Sequence, residues 1–552
     1  MVMLIATSLS AFSIVRNRFF RSLTGSSVGR HGIASHLPVV WSKLKATIKL
    51  ALSHAVAVSL LTDAWTSAAA RQYVGVAARY LTDDLEVRYV WLAGVRVLGS
   101  CSKTAISDIL LTVCEDFGLW LGEGTREAGR HWNIARGSAH GTPVIAIASD
   151  GGSNFKSAIE SLRGPLWKPC CSHKLHNAVV SALDKLDAAS PVRLLLDVCK
   201  GVTEFFGGPF VRRKEALAEH LTAVSVDNAG RLQRAVRHRW SSQLRMLESV
   251  SKMFDRVKDA LFKLSGVYQE ASDLYQRLRA VDRNEIRQVS FGLGQVNSLM
   301  DYLQRFQSTA GLEHAMVRGV VHRIRGQADP VTFAAGTSLD FLLCDLLLTA
   351  WPPAFDAFRL GATGSGLEAL LPCMAIEPGT NGFASLAEGI REPVKIWATD
   401  ELEALSLHLG PGAPAQAGPS TSTGRTTPPP APTQPMMFSP SALVSVGCGV
   451  SRVRGAEFVG ATLRSELSTL QSMAPAGDRR YAAQFYRDHG RTLPRLRRLF
   501  QALGSTPTST VYVESAWSVA GKIVTESSTR MSDEHFGRLL FLNLNSSFYI
   551  ED

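Results

Sequence analysis

Short apolar runs bounded by turn-forming residues mark the strands that the first third of the chain predicts. Residues 58–62 and 144–148 are mainly apolar or β-branched, which is typical of buried strands. Residues 73–80 and 87–98 are rich in β-branched and aromatic side chains on either side of a Thr-Asp-Asp turn sequence, which predicts a hairpin. A strand, a hairpin and a later strand that can neighbour the first are the expected parts of one mixed sheet.

Apolar positions three or four residues apart mark the predicted helices. This spacing predicts helices over residues 103–117 and 153–162. From 191 to about 409 the chain is predicted to be mainly helical, and residues 231–254 carry one apolar stripe along a single helix. Residues 410–440 are rich in Pro, Gly, Ser and Thr and contain no acidic residue, which is typical of a disordered linker.

Three carboxylates stand at predicted element ends that are far apart in the chain. Asp63 and Asp150 follow the predicted strands, and Glu514 lies in the segment Val-Glu-Ser-Ala-Trp-Ser. A carboxylate at a strand end can face a crevice while its backbone stays in the sheet, and such oxygens suit Mg²⁺. Aspartate after a strand is more often a turn or helix-cap residue, so position alone leaves both interpretations open.

Five short blocks, taken in chain order, connect these carboxylates to a known family. They are LTDAWTS at 61–67, SDGGSN at 149–154, CCSHKLHN at 170–177, RWSS at 239–242 and ESAWSVAG at 514–521. In order and approximate spacing they resemble the signature blocks of hAT-superfamily DNA transposases. Each block is short, and the specific signal is that all five occur in one order over nearly the whole chain.

The resemblance implies an α/β fold, with an RNase H-like mixed sheet flanked by helices and interrupted by a large all-helical insertion. It also implies a catalytic triad of Asp63, Asp150 and Glu514. These carboxylates are expected to hold Mg²⁺ (or Mn²⁺) for the DNA cleavage and strand transfer of cut-and-paste transposition. The implied partners are transposon-end and target DNA, and the implied location is the nucleus.

The same resemblance gives an expected order of domains. They are a basic helical segment (1–57), the first part of the core (58–190), the helical insertion (191–409), the linker (410–440) and the C-terminal part of the core with its dimerisation region (441–552). Self-association is expected through this last region. The apolar run from Leu539 to Leu544 is the predicted interface.

Cysteine and histidine cluster between residues 170 and 176. By resemblance, Cys170 and His173 match the family's Cys-x-x-His block, which implies structural support of the active site. Cys171 and His176 are close by in the sequence, so a zinc site is the alternative hypothesis. A structural zinc site normally takes four ligands from separated positions, and this spacing therefore favours structural support.

Two tryptophans and an arginine are predicted to contact DNA. By resemblance, Arg239 and Trp240 match the family's Arg-Trp block, whose aromatic ring can stack on an extruded base. Trp65, two residues after Asp63, is the second candidate for stacking. The alternative for Trp240 is a core residue on the apolar stripe of residues 231–254.

Charge and composition add constraints on partners and location. A net charge of +11 favours a polyanionic partner. No long uncharged apolar stretch predicts a membrane span, and the scattered cysteines favour a reducing compartment. Residues 1–62 have no acidic side chain but several basic ones. An organellar transit peptide is therefore the alternative to the helical segment expected before the first catalytic strand.

The sequence also departs from the family pattern. No cysteine precedes Cys101, so the zinc-binding BED finger with which many members begin is not expected here. Ser515 and Trp517 stand where the pattern usually has Arg and Phe, and Met531 stands where it usually has Leu. A domesticated or inactive descendant, which binds DNA and dimerises without cleavage, is therefore the alternative function. An unrelated metal-dependent nuclease would leave the C-terminal block unexplained.

Overall fold

The structure is a computed structural model of the 552-residue chain. It describes residues 2–8, 29–121, 141–162, 164–207, 232–235, 240–304, 310–328, 338–350, 402, 463–473, 482–524 and 531–549. The predicted linker at 410–440 lies outside the described residues. The chain divides into two compact units, which are a core unit (1–172, 303–313 and 354–552) and a helical unit (173–302 and 314–353).

The core unit is built on a mixed sheet. Its strands are β1 (Val58–Thr66), β2 (Gln72–Leu81), β3 (Val87–Val97), β4 (Leu119–Trp120), β5 (Thr142–Ser149) and β6 (Leu166–Pro169). The strand order is β3-β2-β1-β5-β4, and β6 also pairs with β5. The β1–β2 and β2–β3 pairs are antiparallel, whereas β5 is parallel to β1, β4 and β6. This mixed sheet with flanking helices is compatible with the predicted RNase H-like fold, and it confirms the predicted hairpin.

Strand β1 runs past the residue that was expected to end it. It continues to Thr66 because its antiparallel partner β2 pairs with it as far as Thr66 opposite Gln72. The parallel partner β5 ends at Ser149, so Asp150 does follow a strand as predicted. The prediction that Asp63 lies at a strand end is wrong, since Asp63 lies within β1 opposite Gly75. The length of the antiparallel partner decides this difference.

The helices follow the strands in the order that the apolar spacing predicts. They are α1 (Val2–Ser8), α2 (Arg30–Ser53), α3 (Lys103–Phe117), α4 (Ser153–Ser161), α5 (Cys171–Asp184), α6 (Pro191–Gly207), α7 (Trp240–Lys252), α8 (Phe254–Leu264), α9 (Gln269–Arg279), α10 (Arg283–Leu303), α11 (Ala310–Gln327), α12 (Leu339–Ala350), α13 (Leu463–Met473), α14 (Ala482–His489), α15 (Pro494–Leu503), α16 (Val511–Ile523) and α17 (Asp533–Leu544). The helix predicted at 103–117 is confirmed with the same bounds. The Ser102 side chain accepts a hydrogen bond from the Ala105 N–H, and Gly118 ends the helix in the left-handed conformation.

The prediction of a single helix over residues 231–254, in the helical unit, is wrong. Residues 232–235 are described and not helical. Met253 interrupts the helical conformation between α7 and α8. The apolar stripe of residues 231–254 therefore belongs to more than one element. Among the described residues, no helix has both the length and the apolar character needed to cross a membrane.

The C-terminal helices complete the core of the sheet unit. Helix α16 packs on β1 and β2, and α17 packs on β3 and on the N-terminal helices α1 and α2. A Cβ atom at Gly75 would lie 2.6 Å from the Trp517 ring and 2.6 Å from the Trp91 ring. Only glycine leaves room for the Trp517 indole over β2 at this point. The helix and the strand are therefore fitted to each other.

One side of helix α17 is buried in the protomer itself. Leu540 is 0% exposed, and Phe541 and Leu542 are also buried in the cluster that contains the sheet residues. Asn545, just after the helix, accepts a hydrogen bond from the Trp91 N–H at 2.9 Å and donates one to the Trp91 carbonyl at 2.8 Å. The prediction that Leu539–Leu544 forms the self-association interface is wrong for these three side chains, because they pack against their own sheet.

The connection between α15 and α16 is buried along its whole length. Residues 501–510 are all buried, and Ser505, Thr506 and Thr510 are fully so. The guanidinium of Arg79, on β2, donates hydrogen bonds to the carbonyls of Gly504 (2.6 Å) and Thr506 (2.8 Å). Backbone carbonyls removed from water need such donors, so one arginine fixes the polar backbone of this connection in the core.

We expect Arg79→Met to lower the free energy of unfolding by about 1.5–3 kcal/mol, because it leaves two buried carbonyls without their charged donor. Urea unfolding of the full chain measures this change. Arg88→Met is the matched control, since Arg88 pairs with Glu86 on the surface and exposed ion pairs contribute little, about 0–1 kcal/mol. Equal stability of the two variants would contradict the role of Arg79.

We expect Leu540→Asp to unfold the protomer, since an unpaired charge in this core costs roughly 3–5 kcal/mol. Thermal unfolding and sedimentation of the same sample separate loss of folding from loss of association. Leu98→Asp is the control, because Leu98 is 82% exposed. A Leu540→Asp protein that melts like the parent but sediments as a smaller species would restore the predicted interface.

Candidate active site

Asp63 lies in β1, and Asp150 directly follows β5, the parallel neighbour of β1. The pairing of β1 with β5 ends with Leu61 opposite Ala148, and the two aspartates are each two residues further along. Adjacent strands are about 4.8 Å apart, so this register, if continued for two residues, would set Asp63 beside Asp150. Both side chains are half-buried. The first two predicted carboxylates are therefore carried at the same end of the β1–β5 pair.

The backbone around Asp150 orients its carboxylate. The Gly152 N–H donates a hydrogen bond to Asp150 Oδ1 at 3.2 Å, directly before α4 begins. A Cβ atom at residue 152 would lie 3.0 Å from that oxygen, so glycine keeps the space open. Burial raises the pKa of the Cys101 thiol, and the negative charge of Asp150 raises it further. Cys101 thus lies in the electrostatic field of this carboxylate.

Glu514 lies in the first turn of α16. Its Oε1 atom accepts a hydrogen bond from the Thr510 hydroxyl at 3.0 Å. The positive end of the helix dipole favours a negative charge in this turn. Like the two aspartates, the Glu514 side chain is half-buried.

Cys170 forms hydrogen bonds both with the end of β5 and with the start of α16. Its N–H donates a hydrogen bond to the Ser149 carbonyl at 2.8 Å, and its Sγ accepts one from the Thr510 N–H at 3.3 Å. The sulfur also lies within 4.8 Å of a Glu514 carboxylate oxygen. Hydrogen bonds therefore lead from the residue before Asp150, through Cys170 and Thr510, to Glu514. This arrangement agrees with the structural role expected for Cys170.

His173 is the other residue of the Cys-x-x-His block. It lies in the first turn of α5, three residues after Cys170 in the chain. Both its supporting role and the zinc alternative stay predictions.

A buried ion pair supports the strand that leads to Cys170. The Lys168 ammonium lies 2.6 Å from a Glu313 carboxylate oxygen, and both side chains are at most 2% exposed. Burial acts to lower the pKa of Lys168, but the charge of Glu313 raises it above its ordinary value. Lys168 also donates to the carbonyl of Pro169, the residue directly before Cys170, at 3.1 Å. The pair thus fixes β6 where it meets the site.

The carboxylates fit a hard divalent cation by their chemistry. Asp and Glu oxygens are the ligands that Mg²⁺ takes in proteins, and an ionised carboxylate held by one donor keeps further lone pairs. Among the residues that the structure describes, the three carboxylates do not form a group whose oxygens all lie within 4.8 Å of one another. A pair of ions about 4 Å apart can be held by carboxylates more widely spaced than that.

Trp65 packs against the C-terminal helices. Its ring stacks on that of Trp517, with centroids 5.3 Å apart and planes at 13°. The rings of Tyr73 and Phe536 lie 5.7 Å and 6.5 Å away. The Trp65 side chain remains half-buried, so contact with a DNA base stays a prediction.

Trp240 and Arg239 were predicted to bind DNA together. Trp240 begins α7 and is 3% exposed in the helical unit, as the alternative core interpretation expects. Stacking on a base would require this ring to be uncovered. Arg239 lies outside the described residues, and its role stays a prediction.

The sequence did not predict the roles of three features, which are Thr510, Arg79 and the Lys168–Glu313 pair. Thr510 offered one local signal, because it is a hydroxyl residue four positions before Glu514 at the start of a helix. Arg79 and Lys168 offered none, since each lies in an apolar strand and its partner is distant in the chain.

Comparison with known proteins supports the C-terminal assignment. Residues 466–546 match the family model of the hAT family C-terminal dimerisation region, a range that includes Glu514 and helices α14 to α17. A search of the curated proteins found no match. The fold defines an α/β protein built on a mixed sheet. The family match supports assignment of the chain to the hAT transposases.

We expect Trp240→Ala to lower the free energy of unfolding by about 3–5 kcal/mol, the usual cost of removing a buried tryptophan ring. Trp65→Ala should cost less, because that ring is half-exposed. Urea unfolding gives both values, and DNA cleavage is measured per folded molecule with Trp65→Phe as the control. A cleavage loss that exceeds the loss of folded protein in Trp65→Ala, but not in Trp65→Phe, would favour base stacking.

Proposed function

We propose that this chain is a hAT-like cut-and-paste DNA transposase in which Asp63, Asp150 and Glu514 are the catalytic carboxylates. One observation carries the proposal. The hydrogen bonds from Ser149 through Cys170 and Thr510 connect the strand end at Asp150 with Glu514. Glu514 itself lies in the region that matches the hAT family.

The proposed catalytic carboxylates come from two different parts of the fold. Asp63 and Asp150 are supplied by the sheet, and Glu514 is supplied by α16, so the sheet and the C-terminal region each give part of the site. When bound, Mg²⁺ or Mn²⁺ would activate the attacking oxygen and stabilise the leaving oxygen. The carboxylates hold the cation in place, and Cys170 is proposed to keep the two sources of carboxylates aligned.

The substrate in this proposal is DNA at the ends of a transposon, followed by target DNA. The net charge of +11 supports a polyanionic partner, because basic side chains that neutralise phosphates release counterions. Action on chromosomal DNA would place the protein in the nucleus. The C-terminal region supports self-association, and a pair of protomers would hold two transposon ends together.

The test is nicking of supercoiled plasmid by the full chain in Mg²⁺ or Mn²⁺, with chelator as the blank. We expect the parent to nick and Asp63→Asn, Asp150→Asn and Glu514→Gln each to lose nearly all activity, because each removes a charged metal ligand. Glu86→Gln is the matched control, since Glu86 lies on the surface and pairs with Arg88.

A second outcome decides between the two candidate functions. A folded, self-associating parent that binds DNA but nicks none in either metal would overturn the enzymatic proposal. That result would favour the domesticated, non-catalytic descendant.

A further inference from the structure

We propose that Thr510 is a positioning residue, whose hydroxyl sets the Glu514 carboxylate for metal binding. This inference rests on the proposed function. It concerns how the third carboxylate is held, and not which residues bind the cation.

The position of Thr510 makes its hydrogen bond unusual. Thr510 is the residue at the N-cap of α16, where a threonine hydroxyl ordinarily accepts a hydrogen bond from the backbone N–H two or three residues on. Its side chain makes no such bond here. The hydroxyl instead donates to Glu514 Oε1 at 3.0 Å. The hydroxyl is thus used on the carboxylate and not on the helix.

Thr510 is itself fixed from three sides. It is 0% exposed, its N–H donates to Cys170 Sγ, and its carbonyl accepts the N–H groups of Val513 and Glu514. The Cys171 N–H donates to the Thr508 carbonyl at 2.9 Å, which holds the same stretch of chain two residues earlier. A donor held this firmly restricts the Glu514 rotamer before any cation binds.

Restriction of the Glu514 rotamer matters because ordering a long side chain costs conformational entropy. A glutamate free to rotate must lose that freedom when it binds a cation, whereas a glutamate already held by a donor loses less. Loss of the hydroxyl should therefore weaken cation binding even though Thr510 does not touch the cation. The effect should follow the hydroxyl and not the size of the side chain.

The chain offers a matched set of variants. Thr510→Val keeps the shape and removes the hydroxyl, and Thr510→Ser keeps the hydroxyl. Thr506→Val is the control, because Thr506 lies in the same buried connection and, among the described residues, its hydroxyl has no hydrogen-bond partner. Thr510→Ala is a second variant that removes the same hydroxyl.

The experiment measures Mn²⁺ binding to the full chain by calorimetry without DNA, and the Mn²⁺ dependence of plasmid nicking. Thr510→Val should raise the dissociation constant for Mn²⁺ roughly tenfold, the factor expected for loss of a hydrogen bond to a charged group. Thr510→Ser and Thr506→Val should stay within about twofold of the parent. Thermal melting of each variant confirms that it is folded, and Thr510→Ala replaces Thr510→Val if the latter does not fold.

The outcomes separate this inference from the proposed function. Thr510→Val binding Mn²⁺ like the parent, or Thr506→Val weakening it equally, would overturn the positioning role alone. A parent that binds Mn²⁺ without nicking DNA would overturn the transposase proposal, while the ranking of the variants in calorimetry would still decide the role of Thr510. A parent that binds no Mn²⁺ would overturn both.

Discussion

The hydrogen bonds of the buried Arg79 guanidinium hold the connection that leads into the helix of Glu514. Residues 504–510, between α15 and α16, are all buried, and a buried backbone is tolerated only where its polar groups are paired. Arg79 supplies two charged hydrogen bonds to the carbonyls of this stretch, and the Ser59 and Ser505 hydroxyls add another at 2.9 Å. Because α16 begins where the stretch ends, the position of Glu514 follows from contacts made on β1 and β2.

This dependence changes how the C-terminal region is understood. The region that matches the hAT dimerisation model also fills the core of the sheet unit, since Leu540 packs with β3 and Asn545 pairs with the backbone of Trp91. A buried apolar helix and a buried amide cannot be removed without exposing the sheet. Leu540, Phe541 and Leu542 therefore serve the core of their own protomer, and loss of these contacts would impair folding.

Local patterns predicted the parts of the fold that local forces decide. The hairpin of β2 and β3, helix α3 and the strand before Asp150 were all predicted from apolar spacing and turn residues. The parts that were mispredicted depend on distant partners. Asp63 lies inside a strand because of β2, and Leu540 is buried because of β3. The contact between Thr510 and Cys170 joins residues 340 positions apart, so no pattern in either segment could indicate it.

One departure from the family pattern, Trp517, packs in the same core. Trp517, where the pattern usually has Phe, lies over Gly75 and near Gly94, and a Cβ at Gly75 would lie only 2.6 Å from its ring. The larger ring is therefore accommodated by a strand that has no side chain at that position. It also stacks on Trp65, which connects β1 to α16 two residues from Asp63. Trp517 thus takes part in the packing between β1 and α16, the two elements that carry Asp63 and Glu514. Because the Trp517 ring packs against other aromatic rings, the decision between an active enzyme and a binding descendant rests on the chemistry of Asp63, Asp150 and Glu514.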